Sequence, residues 1–108
     1  MKVYGLRACD TCRKVIRALG EAGHDPVLVD VRDTPLDDAT RARFLDAFGE
    51  RLLNTRSTTW RGLPEAERAR PPGDILADHP AVMKRPVIET GTGALHLGWD
   101  AGVRSTLL

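Results

Sequence analysis

The hydrophobic period changes twice within residues 1–31, and that double change restricts the fold more than any other feature of the chain. Lys2 to Leu6 places Val3, Tyr4 and Leu6 in a short strand-forming run. From Asp10 onward, Cys12, Val15, Ile16 and Leu19 recur at i, i+3, i+4 and i+7, which is one face of a helix. Arg13, Lys14, Arg17 and Glu21 lie off that stripe, and Gly23 ends the helix. Val27, Leu28, Val29 and Val31 then form a nearly continuous apolar run, the pattern of a strand covered on both faces. Strand, helix and strand with short links make a βαβ unit with two parallel strands.

Downstream, the pattern becomes helical. Thr34 is a candidate cap, Pro35 suits a first turn, and Asp37 stands where a capping-box acid would be. Phe44, Leu45, Phe48 and Leu52 supply an apolar face, with Gly49 interrupting the helix rather than finishing it. Leu53 to Leu63 has no clean period and reads as a polar loop anchored by Trp60. Pro64 to Arg70 forms a short exposed helix, which Pro71, Pro72 and Gly73 break. Ile75, Leu76, Val82 and Met83 belong to a further short helix. After Pro86 the strand pattern returns: Val87 to Glu89, a TGTG turn, and Ala94 to Leu97 read as an antiparallel hairpin. Asp100 caps a final short helix carrying Val103 and Leu107.

These elements fit a single α/β domain over residues 1–108, with a helical middle segment at about 36–83. Aromatic residues are 5% of the chain, so aliphatic side chains must fill most of the core. A net charge of +1 gives no general reason to expect nucleic-acid or membrane binding. The arginines between Arg41 and Arg70 are interleaved with acids and read as a solvated surface. No run reaches the roughly 18 apolar residues of a membrane span. The opening MKVYGL has no secretory pattern, so the expected location is the cytoplasm. Thiols are kept reduced there, and a close cysteine pair is more often catalytic or sensing than structural.

Both cysteines, Cys9 and Cys12, lie in the stretch ACDTCRK. Cys9 falls at the strand-to-helix junction, where unpartnered backbone N–H groups favour a thiolate. Arg7 and Arg13 add positive potential there, and Asp10 opposes it. Cys12 lies on the apolar stripe and should be buried and protonated. An exposed attacking thiolate beside a buried resolving thiol is what thiol–disulfide exchange requires. Bland readings compete: Cys12 as a small core residue, a chance spacing, or half a zinc site. Zinc would need ligands from His24, His79 and His96, which are scattered, so no metal is expected. Arg85–Pro86 opens the hairpin strand. From the residues alone Pro86 reads as a trans strand-starter. A cis bond there would hold the backbone open for an incoming peptide or glutathione strand.

With ACDTC, NTRSTTW and KRPVIE together, nearly the whole chain resembles the arsenate-reductase-like family of the thioredoxin superfamily. This group includes arsenate reductases, YffB-type reductases and Spx regulators. LLNTRSTTWRGL is similar to the YffB-type middle segment in particular. The resemblance implies a thioredoxin-like fold: a four-stranded mixed sheet, made of the βαβ unit and the hairpin, flanked by helices and carrying a helical insertion. It places Cys9 at the nucleophilic position, Arg85 at an oxyanion-contacting arginine, and Pro86 at the superfamily's cis proline. Arg56 lies in the segment where the family places another active-site arginine.

Two departures bear on function. Arsenate reductases carry a further arginine after a glycine near the end of the hairpin, where this chain has Trp99 in HLGWD. Losing one arm of an oxyanion clamp removes charge-assisted hydrogen bonds, which argues against arsenate as substrate. Cys12 is the second: many members have another residue there, whereas Spx regulators commonly carry CxxC. The leading expectation is a cytoplasmic thiol–disulfide oxidoreductase with Cys9 attacking and Cys12 resolving. It would bind no cofactor tightly and use glutathione as co-substrate, or reduce an oxidised or glutathionylated protein. The alternatives are a redox-sensing, Spx-like partner of RNA polymerase and, third, an arsenate reductase.

Overall fold

The computed structural model describes all residues, 1–108. The chain forms two compact units: Met1–Val31 together with Arg85–Leu108, and Arg32–Lys84.

The first unit is built on a mixed four-stranded sheet of order β2-β1-β3-β4. Its strands are β1 (Lys2–Gly5), β2 (Val27–Asp30), β3 (Val87–Glu89) and β4 (Leu95–Leu97). β1 pairs parallel with β2, with Val3 opposite Leu28 and Gly5 opposite Asp30. On its other side β1 runs antiparallel to β3, which in turn pairs antiparallel with β4. This is the parallel βαβ unit and terminal hairpin expected from the sequence. The hairpin closes through Thr90 N–H to the Ala94 carbonyl and Gly93 N–H to the Thr90 carbonyl, both at 3.0 Å. Gly93 has φ of +87°, a conformation that side chains disfavour.

Helix α1 (Asp10–Glu21) buries Cys12, Val15 and Leu19, the predicted stripe. Helix α6 (Ala101–Leu107) starts where the Asp100 carboxylate accepts the Val103 N–H at 2.9 Å. Val3, Val15, Leu19, Ile88 and Leu107 form the core, with Ile16, Leu28, Trp99 and Val103 packed around it. Each fully buried aliphatic side chain contributes about 1.5–3 kcal/mol relative to exposure. The His24 ring donates from Nε2 to the Leu107 carbonyl at 2.8 Å, joining the end of α1 to the last turn of α6.

One expectation for this unit fails. β2 is not covered on both faces: it is an outer strand, and Val27 is 56% exposed. An apolar run shows that a segment can be buried but not where in the sheet it lies.

The second unit holds α2 (Asp38–Phe48), α3 (Thr58–Arg61), α4 (Glu65–Arg68) and α5 (Pro72–Asp78). Short 3-10 turns occupy Gly49–Leu52 and Pro80–Val82. Phe44, Leu52, Ile75, Leu76, Val82 and Met83 are buried in it. Local expectations change here: Val82 and Met83 do not continue the helix of Ile75 and Leu76, since Val82 lies in the 3-10 turn Pro80–Val82 and Met83 is extended. The cap of α2 is Asp37, not Thr34, because its carboxylate accepts the Thr40 N–H at 2.7 Å. Gly49, at φ +59°, ends the α-helical turns of α2, and the chain runs straight on into the 3-10 turn Gly49–Leu52, so it interrupts the helical stretch as expected. Within the expected loop, Ser57 Oγ accepts the Trp60 N–H at 3.1 Å and caps the helical turn α3. α4 does stop before the proline pair, as expected, and Pro71 and Pro72 then also open α5, since first-turn N–H groups have no intrahelical partner to lose.

Candidate active site

Cys9 closes the turn between β1 and α1. Its N–H donates to the Leu6 carbonyl at 3.0 Å, and its carbonyl accepts the Arg13 N–H at 3.1 Å. Its backbone is extended, with φ −83° and ψ 118°, as an N-cap residue requires. The Asp30 carboxylate accepts the Arg7 N–H at 2.9 Å and anchors the turn to the end of β2. Both thiols are free; Cys9 is half-buried and Cys12 is buried.

The two sulfurs are driven in opposite directions. Burial works against a Cys9 thiolate but is outweighed, and the pKa falls below the ordinary thiol value. The Cys12 backbone N–H, the Cys12 thiol and the Arg85 guanidinium, as donor and as positive charge, together stabilise the anion. Cys12 is pushed up to about 11, first by burial and then by its hydrogen bond to Cys9 and the negative charge of Cys9. The Leu6 backbone N–H and Arg85 pull it back only in part.

The cation that acts on Cys9 is thus Arg85, a residue distant in sequence. Arg13, expected to add positive potential, is ion-paired with Asp10 on the exposed side of α1. The Arg85–Pro86 peptide is cis. Pro86 is fully buried, and its carbonyl accepts the Gly98 N–H at 2.8 Å. Cys9, Cys12, Arg85 and Pro86 therefore all belong to the first unit. Arg56 belongs to the second, where it is exposed and lines a groove of about 650 Å³ with Arg51, Asn54 and Lys84.

The tryptophans have different places. Trp99 packs against the core of the first unit. Trp60 lines a groove of about 500 Å³ in the second, with Pro71, Pro72 and Ile75, which shares Glu50, Leu53 and Thr55 with the groove at Arg56. His24 is engaged by Leu107, and His79 Nε2 lies 3.3 Å from Glu67 Oε2. Sequence reasoning does not single out Gly5, at the end of β1. A Cβ at Gly5 would lie 2.3 Å from Cys12 Sγ, so the second sulfur occupies space that only glycine leaves open.

Comparison with known proteins agrees with this architecture. The model of the ArsC family matches residues 4–104. An uncharacterized protein from Haemophilus influenzae is 35% identical over 91 residues, covering 80% of this chain and 80% of that protein. Among solved structures, a protein named YFFB superposes with a TM-score of 0.85 at 26% identity, covering 99% of this chain and 97% of that one. An arsenate reductase (ArsC) related protein from Brucella melitensis gives a TM-score of 0.75 at 33% identity, with 97% and 91% covered. The mixed sheet and its helices are the thioredoxin-like α/β fold of these arsenate-reductase-related proteins. Matched over nearly its full length, the chain belongs to the ArsC family.

Proposed function

We propose that this protein is a thiol–disulfide oxidoreductase that uses glutathione or reduces an oxidised or glutathionylated protein. The observation that carries the reading is the opposed pair: Cys9 favoured as thiolate at a helix start beside Arg85, and Cys12 buried and protonated within hydrogen-bond reach of it.

The chemistry runs in two exchanges. Cys9 thiolate attacks one sulfur of a disulfide, forms a mixed disulfide and releases the other half as a thiolate. Cys9 then no longer carries the charge or accepts the hydrogen bond that help to hold the Cys12 proton, while Arg85 still favours an anion. Cys12 loses its proton more readily at that point and attacks the Cys9 sulfur. The product is a Cys9–Cys12 disulfide, and the second half of the substrate leaves as thiolate. Two electrons have passed to the substrate, and two molecules of glutathione return them. Arg85 attracts an anionic part of the partner, such as a glutathione carboxylate, and Pro86 borders the incoming chain. Arg56 is a second anion-attracting residue on the strength of the family resemblance. The cycle needs a reducing compartment, which fits the cytoplasm.

Arsenate is a poorer substrate in this reading. Trp99, in the place of a family arginine, is packed on the core and offers no charge. In an exchange assay with a glutathionylated peptide, Cys9→Ser should lose at least 100-fold in rate, and Cys12→Ser should accumulate the mixed disulfide. Full activity of Cys9→Ser would overturn the assignment. Identifying what Cys12→Ser traps in cells separates the branches: glutathione or oxidised proteins support the reductase, whereas RNA polymerase alone would favour an Spx-like regulator.

A further inference from the structure

We propose that Gly5 is a positioning residue for the second exchange: its missing side chain creates the seat from which Cys12 reaches Cys9. The inference rests on the two-thiol reading above and adds a residue to it.

The seat is closely fitted. A Cβ on Gly5 would stand 2.3 Å from Cys12 Sγ and 3.4 Å from Cys12 Cβ, the first far inside van der Waals contact. Gly5 cannot retreat easily. It is paired with Asp30 in the parallel ladder, and its carbonyl accepts the Val31 N–H at 2.9 Å. Its φ is not positive, so the position needs glycine for room and not for backbone freedom. Cys12 cannot retreat easily either. It is wholly buried on the inner stripe of α1, and helical side chains have few open rotamers. The next residue, Leu6, just past the end of β1, offers its backbone N–H to the Cys12 sulfur, so one short stretch supplies both the space and a hydrogen bond. Cys9 is affected only through Cys12, because no Cys9 atom is among the three nearest neighbours of the added Cβ, so the first exchange should suffer less than the second. An alanine at position 5 would therefore turn the Cys12 sulfur away from its partner or lift the start of α1.

The test separates the two exchanges with the aromatic disulfide 5,5′-dithiobis(2-nitrobenzoate) at limiting concentration. Attack by Cys9 releases one coloured thiolate. Attack by Cys12 on the mixed disulfide releases the other and leaves the Cys9–Cys12 disulfide, so sulfurs and electrons balance. In Gly5→Ala the ratio of the second rate to the first should fall at least 10-fold, as the mixed disulfide accumulates. A ratio unchanged from wild type overturns the proposal, as does an equal slowing of both steps. Failure of the underlying reading shows separately: a Cys12→Ser protein that still releases the second thiolate at the wild-type rate removes Cys12 as the resolving group. Thermal melting covers the case in which Gly5→Ala folds poorly. The loss of Tm should largely disappear when Gly5→Ala is combined with Cys12→Ala, which removes the sulfur. An undiminished loss in that background shows that the added methyl meets something else, and overturns the proposal.

Discussion

The division of labour between the two thiols is set by single atoms. Cys9 was legible from sequence because a strand-to-helix junction can be read from periodicity, and a junction implies unpartnered N–H groups. Cys12 was legible because it falls on the apolar stripe. The source of positive charge was not. Arg7 and Arg13 are near in sequence, but Arg13 is spent on Asp10, and Arg85 arrives through the pairing of β3 with β1. Gly5 escaped for the same kind of reason, since the space a missing Cβ leaves is visible only when a distant sulfur fills it. A pH dependence follows. Alkylation by iodoacetamide proceeds through the thiolate, so its rate rises with pH and levels off above the pKa of the attacking sulfur. Cys9 has a lowered pKa, so in Cys12→Ser or wild type its plateau should begin at lower pH than that of the same cysteine in urea-unfolded chain. Arg85→Ala removes a donor and a positive charge, and should move the plateau to higher pH. No movement would show that Arg85 does not act on Cys9.

Elements were predicted best where side-chain period and capping chemistry agreed. α1 and α6 are such cases, with Asp100 placed before the last helix by sequence and found accepting the Val103 N–H. Asp100→Ala should lower stability by about 1 kcal/mol in urea titration, the ordinary cost of a lost N-cap. Asp100→Asn should recover most of the loss, because the amide oxygen still accepts that hydrogen bond. Where two signals competed, sequence chose poorly. Thr34 and Asp37 both suit a cap, and the position of Thr40 decided for the carboxylate. Pro71 and Pro72 both close off one helix and open the next, and only the first of these roles was read from the sequence. The short turn at Thr58–Arg61 has no apolar face to give it a period, so it could be recognised only through its Ser57 cap.

At the level of the whole molecule, the first unit is assembled from both ends of the chain, with residues 32–84 forming the other. Its core depends on this: Leu107 packs with Val3, Val15, Leu19 and Ile88 at 8% exposure. Leu107→Ala should cost about 2–4 kcal/mol, measured by urea unfolding, as a buried leucine truncation does. A loss under 1 kcal/mol would mean that α6 contributes little to this core. The parallel unit and the hairpin were foreseeable, but the order in which they join and the exposure of the outer strand were not, since a valine-rich run reads alike at the centre and the border. That border position has a consequence for the protein at high concentration. The outer strands β2 and β4 are only 4 and 3 residues long, and Pro26, just before β2, offers no N–H. An extended neighbour approaching either rim finds very few backbone partners before the ladder stops. Despite the bare methyl groups of Val27, the sheet is a poor template for fibril growth.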